Sequence, residues 1–150
     1  DLIIVLALPN IQILTKDARE LLPKNVKMNN FVGNMANACL IASAFSTDNY
    51  KLFSRSLKDI VIEPVRSTLI PGFDEVKAVA LEAGADGMTI SGAGPAVFAI
   101  TKSKKKAPII EDAMVRTFQK NGVECTTLIT TPSYKGSVEV TSDEFDFFNH

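Results

Sequence analysis

The sequence is nearly without histidine: its only one, His150, is the last residue. A Ser–His or Cys–His hydrolase therefore has no base here. No Cys, His and carboxylate residues stand at metal-ligand spacing, so no metal site is assigned to this chain. Excess charge is lacking too: 16 Lys and Arg against 17 Asp and Glu leave a net charge of -1. That gives no electrostatic reason to expect nucleic acid or an acidic membrane as partner. The basic run Lys102 to Lys106 has no interleaved aromatics and reads as a solvated loop. No apolar run reaches the roughly 18 residues of a membrane span, and no signal peptide is visible. A cytoplasmic protein is expected. The two cysteines, Cys39 and Cys125, lie in apolar stretches and read as buried free thiols rather than a disulfide.

What is present suits one folded domain: 150 residues, 46% hydrophobic and 22% charged. Residue 1 is Asp, and an apolar run, Leu2 to Leu8, begins at once. This opening reads as a cut within a longer protein; a domain trimmed from one looks the same. The run is short and β-branched, as in a strand buried on both faces or a central strand covered by helices. Pro9-Asn10 breaks it, and Ile11 to Leu14 reads as a second extended piece. Thr15 reads as the N-cap of a helix reaching about Leu22, with Asp17 in its first turn.

Asn29 or Asn30 can cap the next helix. Phe31, Met35, Ala38, Ala42 and Phe45 recur at helical spacing and predict a core-facing stripe. Asp48 is expected to cap a further helix that turns Leu52, Phe53, Leu57 and Ile60 inward. Glu63-Pro64 interrupts it. A helix over 73–83 closes at Gly84. Strands follow at 88–91 and 96–101, joined through Gly92-Ala93-Gly94-Pro95. Pro108 opens a helix whose inward stripe is Ile109, Ala113, Met114 and Phe118, and 123–130 is a strand. Ser137 to Val140 is expected to add a last short strand, and 141–150 an acidic tail beyond a domain over 1–140. The order is strand, helices, strand, strand, helix, strand. That predicts an α+β fold, the ferredoxin-like split βαβ sheet with additional helices.

One segment is chemically informative. Ser91-Gly92-Ala93-Gly94-Pro95 places minimal residues between two small apolar strands. Glycine lets a ligand approach the backbone and offers open N–H groups to an anion. A plain hairpin connection explains the composition equally well.

Ser91 to Pro95 with Ala96-Val97-Phe98-Ala99 resembles the third motif of the GHMP kinases, the small-molecule kinases named for galactose, homoserine, mevalonate and phosphomevalonate. Two further stretches resemble the branch that phosphorylates homoserine. One is Pro9-Asn10 with Thr15-Lys16-Asp17-Ala18-Arg19 and Leu22-Pro23. The other is Asp59, Glu63-Pro64-Val65-Arg66 and Leu69-Ile70-Pro71-Gly72-Phe73. The motifs stand in family order and cover residues 9 to 100.

The resemblance implies the C-terminal half of an ATP-dependent kinase acting with Mg²⁺ on the L-homoserine hydroxyl, in threonine biosynthesis. It implies that Arg19 and Arg66 hold the substrate carboxylate, which suits guanidinium forks. Thr15 lies near the hydroxyl and phosphate end, a role open beside its N-cap reading. Gly92 approaches the substrate, and Ser91, Gly92, Ala93 and Gly94 form a ligand loop. On their surroundings in sequence alone, Arg19 and Arg66 also fit solvated surface roles, and Glu63 can pair with Arg66. The chain departs from the family in lacking the PxxxGLGSSAA phosphate loop. ATP and Mg²⁺ would thus be bound mainly by an N-terminal half of the same enzyme, and the fragment alone is expected to be inactive. Homodimerisation is compatible with the sequence. The rival readings are a mevalonate-type kinase and a ferredoxin-like amino-acid-binding regulatory module.

Overall fold

A computed structural model describes residues 2–133, 135 and 139. The expected strand at Ser137 to Val140, apart from Glu139, and the tail over 141–150 lie outside the described residues. Strand β1 (Ile3–Pro9) is followed by five helices: α1 (Thr15–Glu20), α2 (Met28–Ser46), α3 (Tyr50–Ser56), α4 (Glu63–Arg66) and α5 (Phe73–Glu82). Then come β2 (Gly87–Ile90), β3 (Val97–Thr101), α6 (Ala107–Lys120) and β4 (Cys125–Thr130). The four strands form one sheet in the order β2-β3-β1-β4, every neighbouring pair antiparallel. This is the ferredoxin-like arrangement read from the sequence, with α1 to α4 as the additional helices.

Alternation along β1 divides its side chains between two faces. Ile3, Val5 and Ala7 are buried, together with Val97, Ala99, Met88, Val76, Ile110, Met114 and Phe118, in the main core under α5 and α6. The opposite face has a smaller cluster, where Ile100 meets Ala44 and Phe53 from α2 and α3. β1 is central, as expected. Its second face is only partly covered: Ile4 and Leu6 are half-buried and Leu8 is exposed.

Several local expectations fail. The N-cap of α1 is Leu14 and Thr15 is the first helical residue, with no side-chain capping bond; extended backbone at Leu14 starts the helix one residue earlier. Ile11 to Leu14 joins no strand ladder. α2 begins at Met28 after extended Lys27, so neither Asn29 nor Asn30 caps it. Asn49 caps α3, its Oδ1 accepting from the Leu52 amide at 3.0 Å, while Asp48 takes a left-handed φ of 48°. Phe53 is buried, but Ile60 is 43% exposed. Glu63-Pro64 begins a helix instead of interrupting one, because Pro lacks only an N–H that the first turn leaves unpaired anyway. On α6 the inward residue is Ile110, fully buried, with Ile109 57% exposed. Cys39 and Cys125 are free, but Cys39 is exposed and Cys125 half-buried.

The largest departure is α2. Its predicted core stripe is largely exposed: Phe31, Met35 and Phe45 are 51%, 49% and 63% exposed, although the Phe45 ring still lies 5.0 Å from that of Phe53. The face turned inward carries Asn34, Asn37, Ile41 and Ala44, at spacings of three, four and three. Asn34 and Asn37 bond to Asp59 and Lys58, and Ile41 and Ala44 pack in the smaller cluster. Helical periodicity identifies an apolar face; it does not identify what covers it.

Candidate functional site

The segment leading into α4 is fixed by polar side chains. The Asp59 carboxylate accepts from the Asn34 amide at 2.7 Å and from the Val61 and Ile62 N–H groups at 2.8 Å each. Asn34 Oδ1 in turn accepts from the Ile60 N–H at 2.9 Å. Asp59 thereby satisfies backbone donors at a helix entry, as a capping carboxylate does. Burial pushes its carboxyl up, but the hydrogen bonds from Asn34, Ile62, Val61 and Glu63 outweigh that and hold it below the usual range.

One helical turn later, the fixed entry presents Arg66 to the glycine loop. Arg66 Nη1 donates to the Gly92 carbonyl at 3.0 Å. Its Nε is buried without a partner among the described residues, and a buried unmet donor is costly. The expected Glu63–Arg66 pair does not form. Glu63 instead pairs with Lys77 and accepts from Thr89 Oγ1 at 2.6 Å.

The loop between β2 and β3 is a closed turn. The Ser91 N–H donates to the Ala96 carbonyl at 2.8 Å, and the Gly94 N–H to the Ser91 carbonyl at 3.1 Å. Gly92, with φ of 60°, has nothing within 4 Å of where a Cβ would stand. Its N–H and that of Ala93 have no hydrogen-bond partner among the described residues. The loop thus offers two open donors beside the one carbonyl that Arg66 engages.

Thr15 and Arg19 are exposed on α1 and make no side-chain hydrogen bond or ion pair among the described residues. Ile13, two residues before α1, lies 3.9 Å from the position of a Cβ at Gly94, which puts the start of α1 beside the loop. A cleft of about 500 Å³ is lined by Pro9, Asn10, Pro95 and Glu124 among others, so two of the sequence motifs share a wall. Direct contact is therefore seen between Arg66 and Gly92, with the start of α1 as neighbour. Reading the sequence missed Asn34, Lys77 and Thr89. Their partners lie 25, 14 and 26 residues away, and no local pattern announces such pairings.

The antiparallel order β2-β3-β1-β4, with α5 and α6 packed on one face, defines an α+β domain of the ferredoxin-like class. The model for the GHMP kinase C-terminal domain matches residues 41–120, and the chain belongs to that family. Homoserine kinases are among its relatives there. That of Chloroherpeton thalassium is 42% identical over 112 residues, 75% of this chain and 35% of the relative. That of Arabidopsis thaliana is 42% identical over 123 residues, 81% of this chain and 33% of the relative. The crystal structure of homoserine kinase from Cytophaga hutchinsonii superposes with a TM-score of 0.83 at 37% identity, covering 87% of this chain and 41% of that one. The chain spans about a third of the length of the curated relatives named here.

Proposed function

We propose that this chain is the acceptor-binding, C-terminal part of a homoserine kinase, which transfers the γ-phosphoryl group of ATP to the L-homoserine hydroxyl. The observation that carries the reading is the Arg66 guanidinium. One arm, Nη1, holds the glycine loop, and the other, Nη2, has no hydrogen-bond partner among the described residues. A carboxylate suits that arm in the charge-assisted geometry guanidinium favours. Arg19, exposed and unpaired at the neighbouring helix among the described residues, is a second cation for the same carboxylate. Thr15 stands toward the hydroxyl end, and the Gly92 and Ala93 amides of the loop over 91–94 face the polar part of the substrate. A regulatory module would also use an arginine, but the motifs in family order and the homoserine kinase relatives favour the enzyme.

Among the described residues no group of three or more His, Cys, Asp or Glu could hold a metal. The assignment of Mg²⁺ and of the ATP phosphate cradle to an N-terminal half rests on the resemblance to the GHMP kinases, whose phosphate loop of the form PxxxGLGSSAA has no counterpart in this sequence. What this domain contributes is orientation: it fixes the acceptor so that its hydroxyl meets the γ-phosphoryl group in line. No helix among the described residues is long and apolar enough to cross a membrane, and a cytoplasmic place is the reading that goes with amino-acid biosynthesis. The test is homoserine-dependent ADP release by the domain joined to a homoserine kinase N-terminal half. Turnover of homoserine over mevalonate supports the proposal; no turnover of homoserine by a folded, ATP-binding enzyme overturns it.

A further inference from the structure

We propose that Glu63 is a positioning residue that sets the Arg66–Gly92 contact, a role resting on the homoserine kinase reading only for its effect on substrate. Glu63 opens α4, and its side chain is 11% exposed. That single carboxylate ties three elements. Its Oε1 pairs with Lys77 of α5, and its Oε2 accepts from Thr89 of β2 at 2.6 Å. The Lys77 ammonium is itself held, 28% exposed and 5.7 Å from the centre of the Phe73 ring.

The connections close on themselves. From Glu63, one turn of α4 leads to Arg66, whose Nη1 meets the Gly92 carbonyl at 3.0 Å. From Gly92 the chain runs back through Ser91 and Ile90 to Thr89, which returns to Glu63. Both sides of the Arg66–Gly92 contact are thus referred to one carboxylate. Desolvation makes a buried ion pair a weak source of net stability, and fixing one arrangement among several is the better-attested use of such groups. A shift of the guanidinium by about 1 Å is enough to lower turnover severely, because acceptor and donor must meet in line.

The experiment has two arms. In this chain, amide hydrogen exchange is followed at Ser91 and Gly94, both hydrogen-bonded within the loop, for wild type, Glu63→Gln, Thr89→Val and Thr89→Ser. Exchange at these two amides should quicken at least about tenfold in Glu63→Gln and Thr89→Val, with Met88 and Ile100 unchanged and Thr89→Ser near wild type. Unchanged loop exchange, or equal acceleration everywhere, overturns the proposal. The second arm puts the same substitutions in the full-length enzyme. The homoserine KM should rise about tenfold with the ATP KM within about twofold; both constants rising together overturns the positioning role. If wild type does not phosphorylate homoserine, the functional reading fails, while loop exchange still decides the role of Glu63. Should Glu63→Gln fold poorly, Thr89→Val carries both arms, since it removes one hydroxyl at an edge strand.

Discussion

At the scale of single residues, Arg66 and Gly92 separate ligand binding from folding. In the full-length enzyme, Arg66→Leu should raise the homoserine KM about 30- to 1,000-fold, the roughly 2–4 kcal/mol of a charge-assisted pair, with the ATP KM little changed. Steady-state kinetics with each substrate varied checks this, and an unchanged homoserine KM returns Arg66 to a purely structural role. Gly92 has φ of 60° and open space around a Cβ. An alanine there meets backbone strain of about 1–2 kcal/mol but no protein atom, so any large kinetic loss reports on substrate. Gly92→Ala should cut kcat/KM at least about tenfold while lowering Tm by only several degrees. Gly72 is the contrast: φ is 75°, and a Cβ would stand 2.5 Å from Asn121 Cγ. Gly72→Ala should lower Tm further and leave the KM values of the surviving enzyme near normal.

At the scale of elements, α2 and α6 show how far periodicity reaches. Both carry apolar residues at helical spacing. Phe118 of α6 is fully buried and Phe31 of α2 half-exposed. Phe118→Ala should therefore cost about 3–5 kcal/mol, and Phe31→Ser in this chain should stay within about 0.5 kcal/mol, as read by denaturant unfolding. Equal losses would mean that α2 is covered in solution. The α2–α4 junction has its own pH dependence. The folded state depresses the Asp59 carboxyl, so its contribution is complete above the unfolded value of about 3.9 and is lost as pH falls through the lower folded value. Asp59→Asn should therefore be less stable than wild type at pH 7, and the gap should close as unfolding is repeated toward pH 3.

At the scale of the whole molecule, the proposed function makes the sheet, the carboxylate-tied α4 and the latched loop a frame for the acceptor, with the cradle for ATP in an N-terminal half. The chain alone should release ADP only at background rate with homoserine and MgATP. Mixing with, or fusion to, a homoserine kinase N-terminal half should restore turnover. Turnover by the pure, isolated chain would show that the described domain suffices.

The sequence by itself determined the order of strands and helices, the ferredoxin-like sheet and the glycine turn. These follow from short-range rules: alternation, helical spacing, and Gly and Pro at breaks. The family motifs singled out Thr15, Arg19, Arg66 and Gly92 as candidate site residues from local strings of residues. Only the tertiary structure decided which face of α2 turns inward, that Glu63 serves Lys77 and Thr89 instead of Arg66, and that Arg66 reaches Gly92, 26 residues away. Such pairings depend on where the sheet and helices bring distant side chains, and a buried carboxylate takes whichever donors the fold places beside it. Local sequence supplies Glu63 with a near neighbour in Arg66, but packing gave that arginine to the loop.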